Sequence, residues 1–185
     1  MLTSKRPFTM KTLLTFTALA ALLATGVASA QQSPKATESV TIAGKAISIK
    51  YSAPSVRGRK IFGDGGRISS DPNYPVWRAG ADSATSLHTD ADLDIAGLAV
   101  PKGDYTLYVN LKDSDNWELI INKQNGQWGL TYNMGQDLGR VKMTMSKPAA
   151  TVESLKYTLT SEGGNKGKLQ LAWESHVASV SLTVK

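Results

Sequence analysis

Cysteine is absent from the 185 residues. That excludes disulfides, thiol catalysis, thiolate metal sites and Cys-linked lipid anchors. Histidine is almost as scarce: His88 and His176 are the only two, so a multi-histidine metal centre is excluded too. No G-x-S-x-G nucleophile elbow occurs. Gly63-Asp64-Gly65-Gly66 lacks the Lys-Ser/Thr of a phosphate loop and reads as a flexible tip. Beyond Ala30 no convincing amphipathic helix exceeds two turns, so the chain must build its core from something else.

A long run without charge occurs near the N-terminus. Lys5, Arg6 and Lys11 precede residues 13–27, which carry no ionised side chain, and Ala28-Ser29-Ala30 follows. Cationic, then apolar, then small is the pattern of a cleaved secretory signal. Residues 1–30 are therefore expected to be removed, and 31–185 to form the mature protein. Met10-Lys11-Thr12-Leu13 would itself open a normal signal, which leaves Met1 and Met10 both open as starts. The apolar run falls short of the roughly 20 residues a spanning helix needs, so no integral membrane anchor is expected. The implied location is periplasmic or secreted. The whole chain carries 21 Lys+Arg against 15 Asp+Glu, and loss of the signal leaves a surplus of three. Apart from Arg57-Gly58-Arg59-Lys60 the mature charges are interspersed, where a nucleic-acid binder would concentrate them on one face. No nucleic-acid partner is expected.

From Glu38 onward the dominant period is two. Ile47, Ile49 and Tyr51 alternate with Ser48, Lys50 and Ser52, and Ala43-Gly44-Lys45 offers a hairpin turn to residues 39–42. Further strands are expected at 105–109 after the breaker Pro101-Lys102-Gly103, at 117–121, and at 127–132 across an Asn125-Gly126 turn. Others follow at 152–160, 168–174 and 177–184, with Leu169, Leu171 and Trp173 on one face. Many short strands with Gly/Pro/Asn punctuation predict an all-β fold, an antiparallel β-sandwich or jelly-roll-like single domain. Trp117, Trp128 and Trp173 sit in alternating segments and are expected in the core. The least regular stretch, 54–82, is where a functional loop is expected.

Four residues of that stretch, Arg57, Arg59, Trp77 and Arg78, are the candidate ligand-binding set. Guanidinium forks hold carboxylate or phosphate, and an indole offers a flat face to a sugar ring or cation. The competing role is structural, with Arg78 buried against a carboxylate or carbonyls. His88 and Asp90, two apart on a strand, share a face, and an Asp can fix an imidazole tautomer. Asp90, Asp92 and Asp94 alternate like a calcium loop, but Ile95 replaces the turn Gly and Pro101 the final Glu. No metal and no cofactor is expected.

Several ordered blocks carry a resemblance. They are Ser33-Pro34-Lys35-Ala36, the run from Tyr51-Ser52-Ala53-Pro54 through Arg57-Gly58-Arg59-Lys60-Ile61-Phe62-Gly63, and Val76-Trp77-Arg78-Ala79-Gly80-Ala81 with Ala84-Thr85. Pro101-Lys102-Gly103-Asp104-Tyr105-Thr106-Leu107, Trp117-Glu118-Leu119-Ile120-Ile121-Asn122-Lys123, Gly126-Gln127-Trp128-Gly129 and Leu138-Gly139-Arg140-Val141 follow. Together they resemble the bacterial domain-of-unknown-function 2911 family over nearly the whole mature chain. The resemblance implies an exported all-β domain and brings no catalytic residues. Arg57, Arg59, Trp77 and Arg78 are the matching polar positions. Asn73-Tyr74-Pro75 stands where the family's Tyr-Gly-Lys type of turn is expected, and His88 lies outside the signature.

Two functions follow as expectations. The leading one is a non-catalytic binding or structural envelope protein, engaging a polar or anionic small molecule, a glycan or an envelope protein through 54–82. The alternative is a small envelope hydrolase or isomerase using His88 or an Asp with Arg78, which requires those groups to meet in one pocket. The signal reading is checked by N-terminal sequencing of exported protein. The expected first residue is Gln31 or a close neighbour, and an intact Met1 or Met10 overturns it.

Overall fold

The computed structural model describes residues 32–185; the signal segment read from 1–30 lies outside the described residues. The described chain is all strand and turn. It runs through β1 (Lys35–Ile42), β2 (Lys45–Ser52), β3 (Val76–Trp77), β4 (Thr85–Thr89), β5 (Leu93–Ile95), β6 (Leu98–Val100) and β7 (Gly103–Asn110). β8 (Glu118–Asn122), β9 (Asp137–Lys142), β10 (Thr144–Ser146), β11 (Val152–Gly163), β12 (Lys166–Glu174) and β13 (His176–Val184) complete it. Its only helical pieces are short 3₁₀ turns at Arg67–Ser70 and Met134–Gln136.

Two antiparallel sheets form a sandwich. The first orders its strands β1-β2-β4-β7-β8-β9, with β3 also on β7; the second runs β11-β12-β13-β5-β6, with β10 also on β13. The hairpin read at Ala43-Gly44 is present, and both residues take positive φ, 48° and 74°. That is the backbone a two-residue hairpin loop demands. Alternation puts Ile47, Ile49, Leu87, Leu107, Val109, Leu119 and Ile121 of the first sheet against Leu159, Leu169, Leu171, Val180 and Leu182 of the second.

The sheets also meet at their margins. Cβ atoms at Gly139 and Gly167 would collide with Leu98 and Ile42 respectively, so glycine lets the layers approach there. On β11, Leu155 N–H donates to Pro54 O at 2.9 Å. Tyr157 N–H donates to the Tyr51 hydroxyl and Leu159 N–H to Glu38 Oε1, both at 3.3 Å.

One expected strand is displaced. Residues 127–132 form no strand; the partner of β8 is β9, and 123–136 folds over the outer face of the first sheet. The reason is polar. Thr106, Tyr108 and Asn122 point outward from β7 and β8 and are buried, so they need a cover that bonds to them. Gln127 Nε2 donates to the Thr106 and Tyr108 hydroxyls at 3.1 Å each, and Asn122 Nδ2 donates to Asn133 O at 2.9 Å. Trp128 consequently stands 54% exposed, not in the core.

Five aromatic side chains bind the layers at one end. Trp77 of β3 stacks on Trp173 of β12 across the sandwich, centroids 5.6 Å apart at 19°. Phe62, from the irregular segment, meets both indoles edge-on at 5.8 Å. It also touches Trp117, whose ring stacks on His176 at 5.1 Å. Truncating so large a buried ring leaves a cavity the neighbours cannot fill. Trp173→Ala is expected to lose about 3–5 kcal/mol in denaturant unfolding. A loss below about 1 kcal/mol would contradict this packing.

Candidate functional site

The four arginine and tryptophan candidates do not converge. Trp77 is 2% exposed with its face against Trp173, so it offers no platform to a ligand. Arg59 is consumed locally: its Nε donates to Val56 O at 3.0 Å and its Nη2 to Ser55 O at 2.6 Å. Arg57 takes φ 50° in the same turn, and its N–H donates to Glu153 Oε1 at 2.9 Å. Arg78 leaves β3 opposite Trp77 and lies under Gly129, where any Cβ would collide with the arginine's Cδ. The expected carboxylate or carbonyl partner is missing. Nε and Nη1 are buried without an acceptor among the described residues.

His88 lies elsewhere. Trp77 pairs with Val109 and His88 with Asp104, which sets them roughly 16 Å apart along β7. Exposed on β4, His88 places Nδ1 2.8 Å from Asp104 Oδ1 and Nε2 3.0 Å from Asp90 Oδ1. The hydrogen bond to Asp104, then that to Asp90, raises its pKa above the ordinary 6.5. A raised folded-state pKa adds stability at acid pH that fades as pH climbs through the raised value. With both nitrogens held by carboxylates on solvent, His88 is a strand clip without a nucleophile. The other carboxylates of that run also have structural partners: Asp92 Oδ1 accepts Lys102 N–H at 2.8 Å, and Asp94 accepts Gly97 N–H and pairs with Lys185.

A cavity of about 560 Å³ lies instead over the aromatic cluster, at the end of the sandwich. The irregular segment supplies one wall through Lys60, Phe62, Asp64 and Tyr74, and Gly63 and Asp64 of the Gly63-Asp64-Gly65-Gly66 tip border the cavity. The β7–β8 turn supplies Lys112 and Ser114, with Trp117 behind them. The β12–β13 turn supplies Glu174, Ser175 and His176. The irregular segment 54–82 thus lines this cavity through residues other than Arg57, Arg59, Trp77 and Arg78.

The last turn is built around one carboxylate. Trp173 pairs with His176, leaving Glu174 and Ser175 as a two-residue loop. Glu174 holds φ at 52°, a left-handed conformation that costs a non-glycine residue about 1 kcal/mol or more. Its side chain offsets that. Oε1 accepts Ile61 N–H at 3.0 Å, tying the irregular segment down, and Oε2 accepts the Ser175 hydroxyl at 3.0 Å. Ser175 Oγ is also 3.1 Å from His176 Nδ1. His176 is half-buried, and that desolvation lowers its pKa below 6.5 despite the Glu174 and Asp115 charges. The neutral imidazole is therefore the favoured form at pH 7.

The described fold and this end cavity define a two-sheet β-sandwich with a polar pocket between its turns. Residues 33–182 match the family described as protein of unknown function (DUF2911), and the chain belongs to that family. No curated protein and no solved structure matches it.

Arg78 yields a stability prediction opposite to that of a paired arginine. Methionine keeps the stem that packs on Gly129 and removes buried donors that have no acceptor. Arg78→Met is expected to unfold at the same urea concentration as wild type or a higher one. A loss above about 1 kcal/mol would show that the guanidinium has a partner.

Proposed function

We propose that this chain is a non-catalytic binding protein of the bacterial envelope that takes a polar small molecule in the end cavity. The cavity itself carries the reading: about 560 Å³, lined by ammonium, carboxylate, hydroxyl and imidazole groups. Small-molecule sites commonly span roughly 300–1,000 Å³ and orient their ligands with a few placed polar groups. Export follows from the N-terminal pattern of charge, apolar run and small residues. The hydrolase or isomerase alternative finds less support. His88 and Arg78 sit on different parts of the first sheet. Ser175 donates to Glu174, whereas an activated serine donates to its histidine.

The test is a thermal-shift panel of neutral sugars, sugar acids and sugar phosphates on the purified 31–185 protein. A binder is expected to raise Tm in wild type, and Ser114→Trp, which fills the cavity from an exposed turn, is expected to abolish that rise while keeping its own Tm. Equal stabilisation of both proteins would place binding elsewhere. The absence of any binder across the panel would overturn the reading.

A further inference from the structure

The Glu174-Ser175-His176 turn contains a proton count that decides what the cavity asks of its ligand. Ser175 owns one hydroxyl proton. Its oxygen lies 3.0 Å from Glu174 Oε2, and two oxygens at that distance need a hydrogen between them. A carboxylate has none to give, so the serine proton points at Glu174. The 3.1 Å contact between Ser175 Oγ and His176 Nδ1 must then be donated from the ring. A neutral imidazole that carries its proton on Nδ1 has a bare lone pair on Nε2. That is the reverse of the chain in a hydrolytic triad, where the histidine nitrogen facing serine is the acceptor.

Nε2 has no hydrogen-bond partner among the described residues, and the His176 ring lines the cavity. The remaining groups divide evenly. Lys60 and Lys112 bring two ammoniums, Asp64 and Glu174 two carboxylates, so the cavity has no net charge to offer an ion. Lys60 Nζ already donates to Asp64 O at 2.6 Å. Half-exposed Tyr74 and partly buried Phe62 add ring surface for C–H groups. Donors and acceptors in equal measure beside aromatic rings suit hydroxyl groups, each of which donates and accepts.

We infer that the ligand is a neutral polyhydroxyl compound, a sugar, and that one of its hydroxyls donates to His176 Nε2, held as an acceptor by Ser175 and Glu174. This rests on the cavity being the binding site. His176 is then a binding residue, while Ser175 and Glu174 are positioning residues that act through its tautomer. The charged groups acting on the imidazole are Glu174 on β12, Asp115 in the β7–β8 turn and Lys147 after β10. Protonation turns Nε2 into a donor, so affinity falls as pH drops through the lowered His176 pKa. It is flat above that value.

Long-range ¹H–¹⁵N NMR of the histidine rings tests the tautomer without any ligand. At pH 7.5, His176 is expected to show an acceptor-type Nε2 and a protonated Nδ1, and Ser175→Ala is expected to shift the ring toward the Nε2–H form. A wild-type Nε2–H tautomer overturns the inference while leaving a binding cavity intact. Cellobiose and maltose are then titrated, with glucuronate and glucose 6-phosphate as anionic comparators. Neutral disaccharide is expected to move the His176 Nε2 resonance and to bind more weakly at pH 5 than at pH 7.5. Tighter binding of the anionic comparators, or sugar binding that leaves His176 unmoved, refutes the ligand class. Silence from all four sugars at every cavity residue counts against the cavity itself.

Discussion

The stack of Trp77 on Trp173 holds the two sheets in register with each other at the end where the cavity lies. Each indole belongs to a different sheet, and their near-parallel faces remove both from water together. Phe62 closes against their edges and so draws the irregular segment onto the sandwich. The stack determines where 54–82 can run. The Trp117–His176 pair extends the same cluster toward solvent, where aromatic packing gives way to polar groups. The cavity is thus the outer surface of a core cluster, with a rigid floor of rings and walls of turns.

Glu174 performs the complementary task in polar terms. Its two oxygens face in different directions, one toward the backbone of Ile61 and one toward the turn hydroxyl. The first bond closes the irregular segment against β12, and the second determines the ring nitrogen on which His176 carries its proton. A left-handed glutamate is tolerated because the carboxylate is bound at both ends. The geometry brings serine, histidine and carboxylate together without making a nucleophile, since the proton order runs from ring to hydroxyl to carboxylate.

Alternation in the sequence made most of the sandwich legible. β2, β7, β11, β12 and β13 follow from side chains spaced two apart, because one buried face per strand leaves that mark. The strand expected at 127–132 failed for a reason no periodicity carries. Asn125-Gly126 is a good turn anywhere, but the outward Thr106, Tyr108 and Asn122 needed a bonded cover, and that need arises only once β7 and β8 lie side by side. Adjacent residues on an extended segment leave on opposite faces, but which of Trp77 and Arg78 enters the core depends on Trp173, almost a hundred residues away. No hydrophobic periodicity marks His176 as a cavity residue. Its neighbours Glu174 and Ser175 were the available signal, two polar residues between alternating strands beside one of only two histidines.

The occupied N–H groups along β11 bear on how this protein meets others. Outer strands normally present a ladder of free donors that another chain can copy, the route to both peptide capture by strand addition and edge-to-edge aggregation. At Leu155, Tyr157 and Leu159 those donors are already taken, by a loop carbonyl, a tyrosine hydroxyl and a glutamate of the facing sheet. An incoming strand would have to displace three bonds before it made one. Such a margin resists strand addition and leaves recognition to the turns of the sandwich.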